Sequence, residues 1–168
     1  MNEILTRTSV RQFTNQPVEA EKMELLLKAA MQAPSAANQQ PWEFVVLTER
    51  EVMEKVEKMS SYAKSLLSAP TAIVMLTKKE GLPLPTYTDQ DMGACAQNIQ
   101  LMCEHLGLGA VWLGVKPDQP RMDYVAEILS LPASVEVFAV LSIGYPATKR
   151  EAKSRFDASR VHYNTYTL

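Results

Sequence analysis

Hydrophobic and polar positions divide the chain into alternating helical and extended stretches. Apolar residues recur at helical spacing most clearly at 21–31 and in one longer stretch, and short apolar runs lie between the helical stretches. The predicted helices are 21–31, 49–59, 61–68, 118–129 and a longest helix that starts at 89 or 91 and ends at 106. The predicted strands are 43–48, 71–77, 110–115 and 135–143.

The longest predicted helix has an apolar stripe and a marked end. Gly107 follows it, and glycine is a common C-terminal cap because it adopts a left-handed backbone without strain. A stripe of this width indicates burial against the sheet and leaves room for a contact with a second subunit. The stripe consists of Met92, Cys95, Ala96, Ile99, Met102, Cys103 and Leu106.

The order of these elements taken alone favours a parallel, doubly wound α/β sheet, because helices and strands alternate. Residues 82–85 form a loop in this interpretation, since their two prolines lack donors for a strand ladder. The tail 147–168 is polar, begins basic and shows no period, which alone is typical of a disordered terminus.

Composition and charge narrow the class of protein. The chain has 168 residues, of which 46% are hydrophobic and 21% charged, with a net charge of -2. These values predict one globular domain over 1–168 and argue against nucleic acid as a partner. No apolar run is long enough to cross a bilayer and no signal-peptide pattern opens the chain, so we expect a cytoplasmic protein without a membrane partner.

The cysteines and histidines give no sign of a metal centre. Cys95 and Cys103 lie on one predicted helix, about 12 Å apart along its axis, which is too far for a disulfide, so we expect two free thiols. His105 and His162 have no acidic or thiol neighbour at the spacing of a zinc site. No metal is predicted.

Two polar segments are candidates for ligand binding. Residues 34–42, PSAANQQPW, connect a helix to a strand, and their small residues and amides suit the close approach of a flat ligand. Residues 7–11, RTSVR, place two guanidiniums beside two hydroxyls, a group that suits a phosphate. The alternative for this second segment is solvated surface.

Together the two segments resemble the nitroreductase family of flavin oxidoreductases. That family typically opens with Arg-x-Ser-x-Arg and later carries Pro-Ser-x-x-Asn-x-Gln-Pro-Trp, and this chain has both in the same order. Residues 107–114, GLGAVWLG, and 143–146, IGYP, followed by 153–155, KSR, extend the resemblance over nearly the whole chain.

The resemblance implies a fold, a cofactor and an assembly. The fold is α+β, with a mixed, mainly antiparallel central sheet flanked by helices, and this implication replaces the parallel sheet favoured by the element order. The cofactor is FMN, bound without a covalent link at the interface of an intertwined homodimer. The tail would be ordered because it brings basic residues to the flavin and extends across the partner subunit.

The resemblance also implies a role for particular residues in binding FMN. One group would hold the phosphate and ribityl end, and Thr8 within it departs from the Arg or His that the family often has there. A second group would line the flavin ring. The phosphate group is Arg7, Thr8, Ser9, Arg11, Lys153 and Arg155; the ring group is Pro34, Ser35, Ala36, Asn38, Leu113 and Gly114.

Gly114 and two aromatic residues outside both groups have alternative explanations. Gly114 could be glycine because a side chain would clash with the ring, or because a strand end needs unusual torsion angles. Trp42 is expected to be a core aromatic that fixes the loop rather than a ligand contact. Tyr87, in the loop before the longest helix, is expected to be exposed rather than in contact with flavin.

The implied activity is the transfer of a hydride from NADH or NADPH through flavin N5 to a small acceptor such as a nitroaromatic, a quinone, another flavin or an activated alkene. Such chemistry needs no catalytic acid, base or nucleophile from the protein, so none is assigned. The alternatives are a specialised branch, such as reductive dehalogenation or flavin breakdown, and a flavin-binding protein without catalysis. Neither the acceptor nor the preference between NADH and NADPH follows from the sequence.

Overall fold

The computed structural model describes residues 2–148 and 151–166. The predicted strands and four of the five predicted helices are present, with ends moved by at most three residues, and a short N-terminal helix is added. The fifth predicted helix, 61–68, is only a 3₁₀ turn. The helices are α1 (Glu3–Thr6), α2 (Ala20–Met31), α3 (Arg50–Glu57), α4 (Thr88–His105) and α5 (Gln119–Ile128). The strands are β1 (Trp42–Leu47), β2 (Thr71–Lys78), β3 (Gly109–Gly114) and β4 (Val135–Gly144), and 3₁₀ turns lie at Ala36–Asn38, Lys64–Leu67, Pro85–Tyr87 and Ala158–Arg160.

The four strands form one sheet in the order β1-β2-β4-β3, and each neighbouring pair is antiparallel. The parallel sheet that element order alone favours is wrong, and the predicted α+β fold is confirmed. The register defines two ends of the sheet, which we call the Gly114 end and the Gly109 end. Trp42, Thr77, Glu136 and Gly114 lie at the first, and Leu47, Thr71, Ile143 and Gly109 lie at the second.

The segment 9–14 extends this sheet beside β3 and β4. Ser9 forms a parallel bridge with Ala110, and the Val10 N–H donates to the Ala110 carbonyl at 3.0 Å. Phe13 bridges Pro146 in the antiparallel sense. The parallel bridge makes the sheet mixed, and the two bridges fix the N-terminal segment at the Gly109 end.

Two hydrophobic cores cover the two faces of the sheet. α2 and α4 cover the face that we call the α4 face, and α3, α5 and the turn Lys64–Leu67 cover the opposite α5 face. β3 alternates between them, with Ala110 and Trp112 on the α4 face and Val111 and Leu113 on the α5 face. Trp42 is 7% exposed and belongs to the core of the α4 face, as expected.

α4 ends as its sequence predicts. Gly107 has a φ of +72°, and the Leu108 N–H donates to the Cys103 carbonyl at 2.8 Å, which is the pattern of a glycine-terminated helix. Cys95 and Cys103 are buried free thiols. Burial raises the pKa of Cys95 to about 12 and raises that of Cys103 as well, so both remain protonated and unreactive at neutral pH.

The contact between the N-terminal segment and β3 predicts the effect of a single methyl group. A Cβ at Gly109 would lie 2.5 Å from Val10 Cγ2, so Gly109→Ala should lower the free energy of unfolding by about 1–3 kcal/mol. Denaturant unfolding measures this value. Gly93→Ala is the matched control, because its Cβ would meet Trp112 only at 4.0 Å in the middle of α4 and should raise stability by about 0.5–1 kcal/mol. Equal stability of the two variants would contradict the assigned contact.

Candidate functional site

Both ends of the chain line one small cavity, which we call the basic cavity. Its volume is about 520 Å³. Because hydroxyls and cations dominate its wall and a single carboxylate opposes them, it suits an anion such as a phosphate. It is lined by Thr8, Ser9, Arg11, Glu151, Lys153, Ser154 and Arg155.

Backbone pairing brings the two segments of the basic cavity together. The Thr14 N–H donates to the Tyr145 carbonyl at 2.9 Å, and the Ala147 N–H donates to the Gln12 carbonyl at 3.0 Å. These bonds direct the C-terminal tail back along the N-terminal segment. Within 2–148 and 151–166, Arg11, Lys153 and Arg155 form no ion pair, so their charges remain available for a ligand.

Five of the six residues predicted for the phosphate end meet in the basic cavity. The sixth, Arg7, is half-buried directly after α1 and does not belong to the wall of this cavity. The structure therefore brings three cations together here instead of the four that the resemblance implies.

A larger cavity of about 940 Å³ lies on the α5 face beside β3. We call it the edge cavity. Arg11 lines both cavities, so the two are adjacent. Leu113 and Gly114, the residues predicted to approach the flavin ring, line the edge cavity together with Arg121 of α5.

Gly114 is not explained by the protein alone. Its φ lies outside the left-handed region, and a Cβ added to it would meet nothing within 4 Å. The torsion-angle alternative is therefore wrong, and no neighbouring side chain requires a glycine there. A ligand in the edge cavity would supply the missing reason.

The segment 59–68 forms most of the remaining wall of the edge cavity, and the sequence interpretation missed it. Arg50 of α3 holds this segment by donating to the Leu66 carbonyl at 2.8 Å and to the Ala69 carbonyl at 2.7 Å. The buried Ser65 hydroxyl pairs with Ser142 Oγ of β4 at 2.9 Å. The several serines of the segment 59–68 were the available sign of a polar cavity wall, but such serines are equally typical of a connecting loop.

The loop 34–40 has a tightly constrained backbone. Ala37, Asn38 and Gln40 have φ values of +48°, +53° and +46°. Each costs free energy for a residue that carries a Cβ, and asparagine tolerates this conformation best. The Ser35 hydroxyl accepts the Gln40 N–H at 3.1 Å and helps to close the turn.

Asp91, which the sequence interpretation also missed, anchors this loop to α4. The side chain is buried, and Oδ1 accepts the Ala36 N–H at 2.9 Å while Oδ2 accepts from Gln39 Nε2 at 2.6 Å. Gln39 continues to the neighbouring loop, since its Oε1 accepts the Leu84 N–H at 3.0 Å. An acid in the first turn of a helix gives no local sign of such an anchor, because its contact with the helix dipole is reason enough for it to occur there.

Asn38 presents its amide at the surface of this loop. Its Oδ1 accepts from Gln40 Nε2 at 3.0 Å. In the described part of the chain its Nδ2 has no hydrogen-bond partner, so two N–H donors remain for a ligand. Nearby Tyr87 is 46% exposed, as expected.

The loop 34–40 lies far from the basic cavity within one chain. It is fixed to the first turn of α4 and leads into β1 at the Gly114 end, on the far edge of the sheet from β3. The basic cavity lies beside Ser9 and thus at the Gly109 end. Pro34, Ser35, Ala36 and Asn38 line neither the basic cavity nor the edge cavity.

Two further kinds of feature are absent from residues 2–148 and 151–166. No helix there is long and apolar enough to cross a membrane. No group of three or more His, Cys, Asp or Glu side chains there could hold a metal ion.

Comparison with known proteins identifies the class to which this fold and site belong. The model of the nitroreductase family matches residues 4–63 and 59–145. The chain therefore belongs to the nitroreductase family, as its motifs predict.

Individual relatives agree over almost the full length. A protein of Archaeoglobus fulgidus provisionally named NADH dehydrogenase/NAD(P)H nitroreductase is 40% identical over 95% of this chain and 94% of its own. A crystal structure of a provisionally named NADH oxidase from Clostridium acetobutylicum has a TM-score of 0.95 and 46% identity, covering 98% and 99% of the two chains. The FMN-dependent nitroreductase of Clostridium difficile has a TM-score of 0.90 and 31% identity, covering 99% and 100%.

The anchor of the loop 34–40 predicts a specific loss of stability. Asp91→Ala leaves the Ala36 N–H and one N–H of the Gln39 amide without an acceptor, and should lower the free energy of unfolding by about 1–3 kcal/mol. Asp89→Ala on the same helical turn is the control, because it removes a half-exposed ion pair with Lys116 and should change stability by less than about 1 kcal/mol. Denaturant unfolding compares the two, and a smaller loss for Asp91→Ala than for Asp89→Ala would contradict the anchoring role.

Proposed function

We propose that this protein passes a hydride from NADH or NADPH through flavin N5 to a small electron acceptor such as a nitroaromatic, a quinone or an activated alkene. The broader class follows from the family. The chain is an NAD(P)H-dependent FMN oxidoreductase of the nitroreductase type, and the predicted cofactors are confirmed at this level.

The adjacency of the two cavities is the observation that carries the proposal. Arg11 belongs to both walls, so an anion in the basic cavity and a planar group in the edge cavity would lie along one continuous groove. Along β3, Ala110 beside the basic cavity and Gly114 are separated by about 13 Å. The groove thus suits a ligand with a phosphate at one end and a ring at the other.

The donor set fits the two ends of FMN. Thr8, Ser9, Arg11, Lys153 and Arg155 would hold the phosphate, with Ser154 as a further donor. Leu113 and Gly114 would lie at the ring, where the absent side chain of Gly114 leaves space. When bound, FMN supplies the two-electron chemistry, and the protein binds, orients and partly desolvates it.

A second copy of the chain would complete the site. The loop 34–40 lies at the wrong edge of the sheet to reach the groove of its own chain, so Pro34, Ser35, Ala36 and Asn38 would cover a flavin held by the partner. Exposed apolar side chains support a homodimer of this kind, because they would be buried in an interface. They include Ile4, Leu5, Phe156, Tyr163 and Tyr166, which are 58–83% exposed.

The wider setting completes the proposal. Residues 1–168 would form one FMN-binding domain that works in the cytoplasm, with small molecules and its own second copy as partners. Nucleic acid and membrane are not among the proposed partners, in keeping with the net charge of -2.

Anaerobic reduction tests the proposed function. The purified protein should be yellow, and addition of NADH or NADPH without oxygen should bleach the absorbance of its flavin. Addition of a nitroaromatic or a quinone should then restore it. A colourless protein that takes up no FMN would contradict the proposal, and a yellow protein that neither nicotinamide bleaches would instead support a flavin-binding protein without catalysis.

Removal of single cations tests the basic cavity. Arg11→Gln or Arg155→Gln should weaken FMN binding by about 1.5–3 kcal/mol, which corresponds to a ten- to hundredfold loss of affinity. Titration of the flavin-free protein with FMN measures the change. Arg160→Gln is the control from the same tail, since this side chain is 84% exposed and pairs with Asp157 outside the cavity. Unchanged FMN affinity in both cavity variants would show that the phosphate lies elsewhere.

A further inference from the structure

Arg121 lies at the Gly114 end of the edge cavity in a fixed orientation. One terminal nitrogen, Nη1, donates to the Gly114 carbonyl at 2.8 Å. The other, Nη2, lies 3.0 Å from Asp118 Oδ2. Asp118 is itself fixed, because its Oδ1 accepts the Arg121 N–H and caps α5.

This orientation leaves one donor unsatisfied. Arg121 Nε is buried and has no hydrogen-bond partner in the described part of the chain. An unpaired buried N–H is unfavourable, so packing alone gives no reason to hold the guanidinium there. The two bonds to Gly114 and Asp118 keep it in place, and the side chain remains 28% exposed where it lines the cavity.

We propose that Arg121 sets the reduction potential of the bound flavin, by holding the Gly114 peptide and by placing a positive charge at the ring end of the groove. This inference rests on the proposed function, because it takes the ring to lie beside Leu113 and Gly114. It makes Arg121 a positioning residue with an electrostatic effect, and not a group that exchanges protons or electrons.

The chemistry of the reaction gives this charge a purpose. A hydride carries two electrons and one proton, so a ring that accepts it gains one unit of negative charge. A nearby cation stabilises that reduced form relative to the neutral oxidised form and so makes reduction more favourable.

Other cations of the groove have different surroundings. Arg11 lies where the edge cavity meets the basic cavity, nearer the phosphate end. Lys64 lines the edge cavity, but in the described residues its side chain has no fixed hydrogen bond. Arg121 differs from both because the Gly114 carbonyl fixes it at the ring end.

The test measures the midpoint potential of FMN bound to the full-length protein, by anaerobic equilibration with a redox dye. Arg121→Gln should lower the equilibrium constant for two-electron reduction about tenfold, which corresponds to about 30 mV. Arg121→Lys keeps the charge and should retain most of the potential. Asp118→Asn still caps α5 but removes a negative charge, so it should shift the potential in the opposite direction.

Opposite signs for Arg121→Gln and Asp118→Asn would support the inference, because a displaced peptide would move both potentials in one direction. An unchanged potential in Arg121→Gln with FMN retained would overturn it, as would shifts of equal sign. Lys28→Gln is the control for a general change of charge. Lys28 forms an exposed ion pair with Glu24 on α2, so its removal should leave the potential unchanged. FMN titration of the unmodified protein separates the two proposals, because failure to bind would overturn the proposed function as well.

Discussion

The pairing of the segment 9–14 with the edge of the sheet determines where the site can form. Its parallel bridge to β3 and its antiparallel bridge beyond β4 hold the two ends of a 168-residue chain side by side. Without those backbone bonds, the cations of the N-terminal segment and those of the tail would have no reason to approach, because like charges repel. The basic cavity is thus a consequence of main-chain pairing, and Gly109 permits it by leaving room for Val10.

The positions of helices and strands follow from hydrophobic periodicity, but the direction of the strands does not. α4 crosses the sheet once between β2 and β3, so those two strands run the same way. After α3, the segment 58–70 brings the chain back to the end of the sheet where β1 ended, and β2 begins there. After α5, the segment 129–134 brings it back to the end where β3 ended, and β4 begins there. Each return reverses the strand that follows. A periodic pattern predicts that a helix is present, but it does not predict whether the irregular segment after the helix runs back along the sheet.

The candidate site divides in the same way. Five residues of the predicted phosphate end meet in the basic cavity. They could be predicted because they belong to two short charged motifs, and such motifs are visible in a sequence however far apart they lie. The sequence does not predict the roles of Asp91 and the segment 59–68 in the site. An acid at a helix start and a serine-rich connector both have ordinary structural explanations. Their roles depend on long-range contacts, from Asp91 to the loop 34–40 and from Arg50 to the carbonyls of the wall. Such contacts leave no local pattern.

The strained loop also has a physical explanation that connects it with binding. Three residues other than glycine in the left-handed region cost free energy. That cost is offset by the bond of the Gln40 N–H to Ser35, the bonds of Asp91 to Ala36 and Gln39, and the bond of the Leu84 N–H to Gln39. These bonds form within the chain and do not need a ligand. The Asn38 amide is therefore held in its exposed position before any flavin binds, so little conformational entropy is lost on binding. Under the proposed function, a wall of this kind could serve the groove of a second copy, because its shape would not depend on that groove.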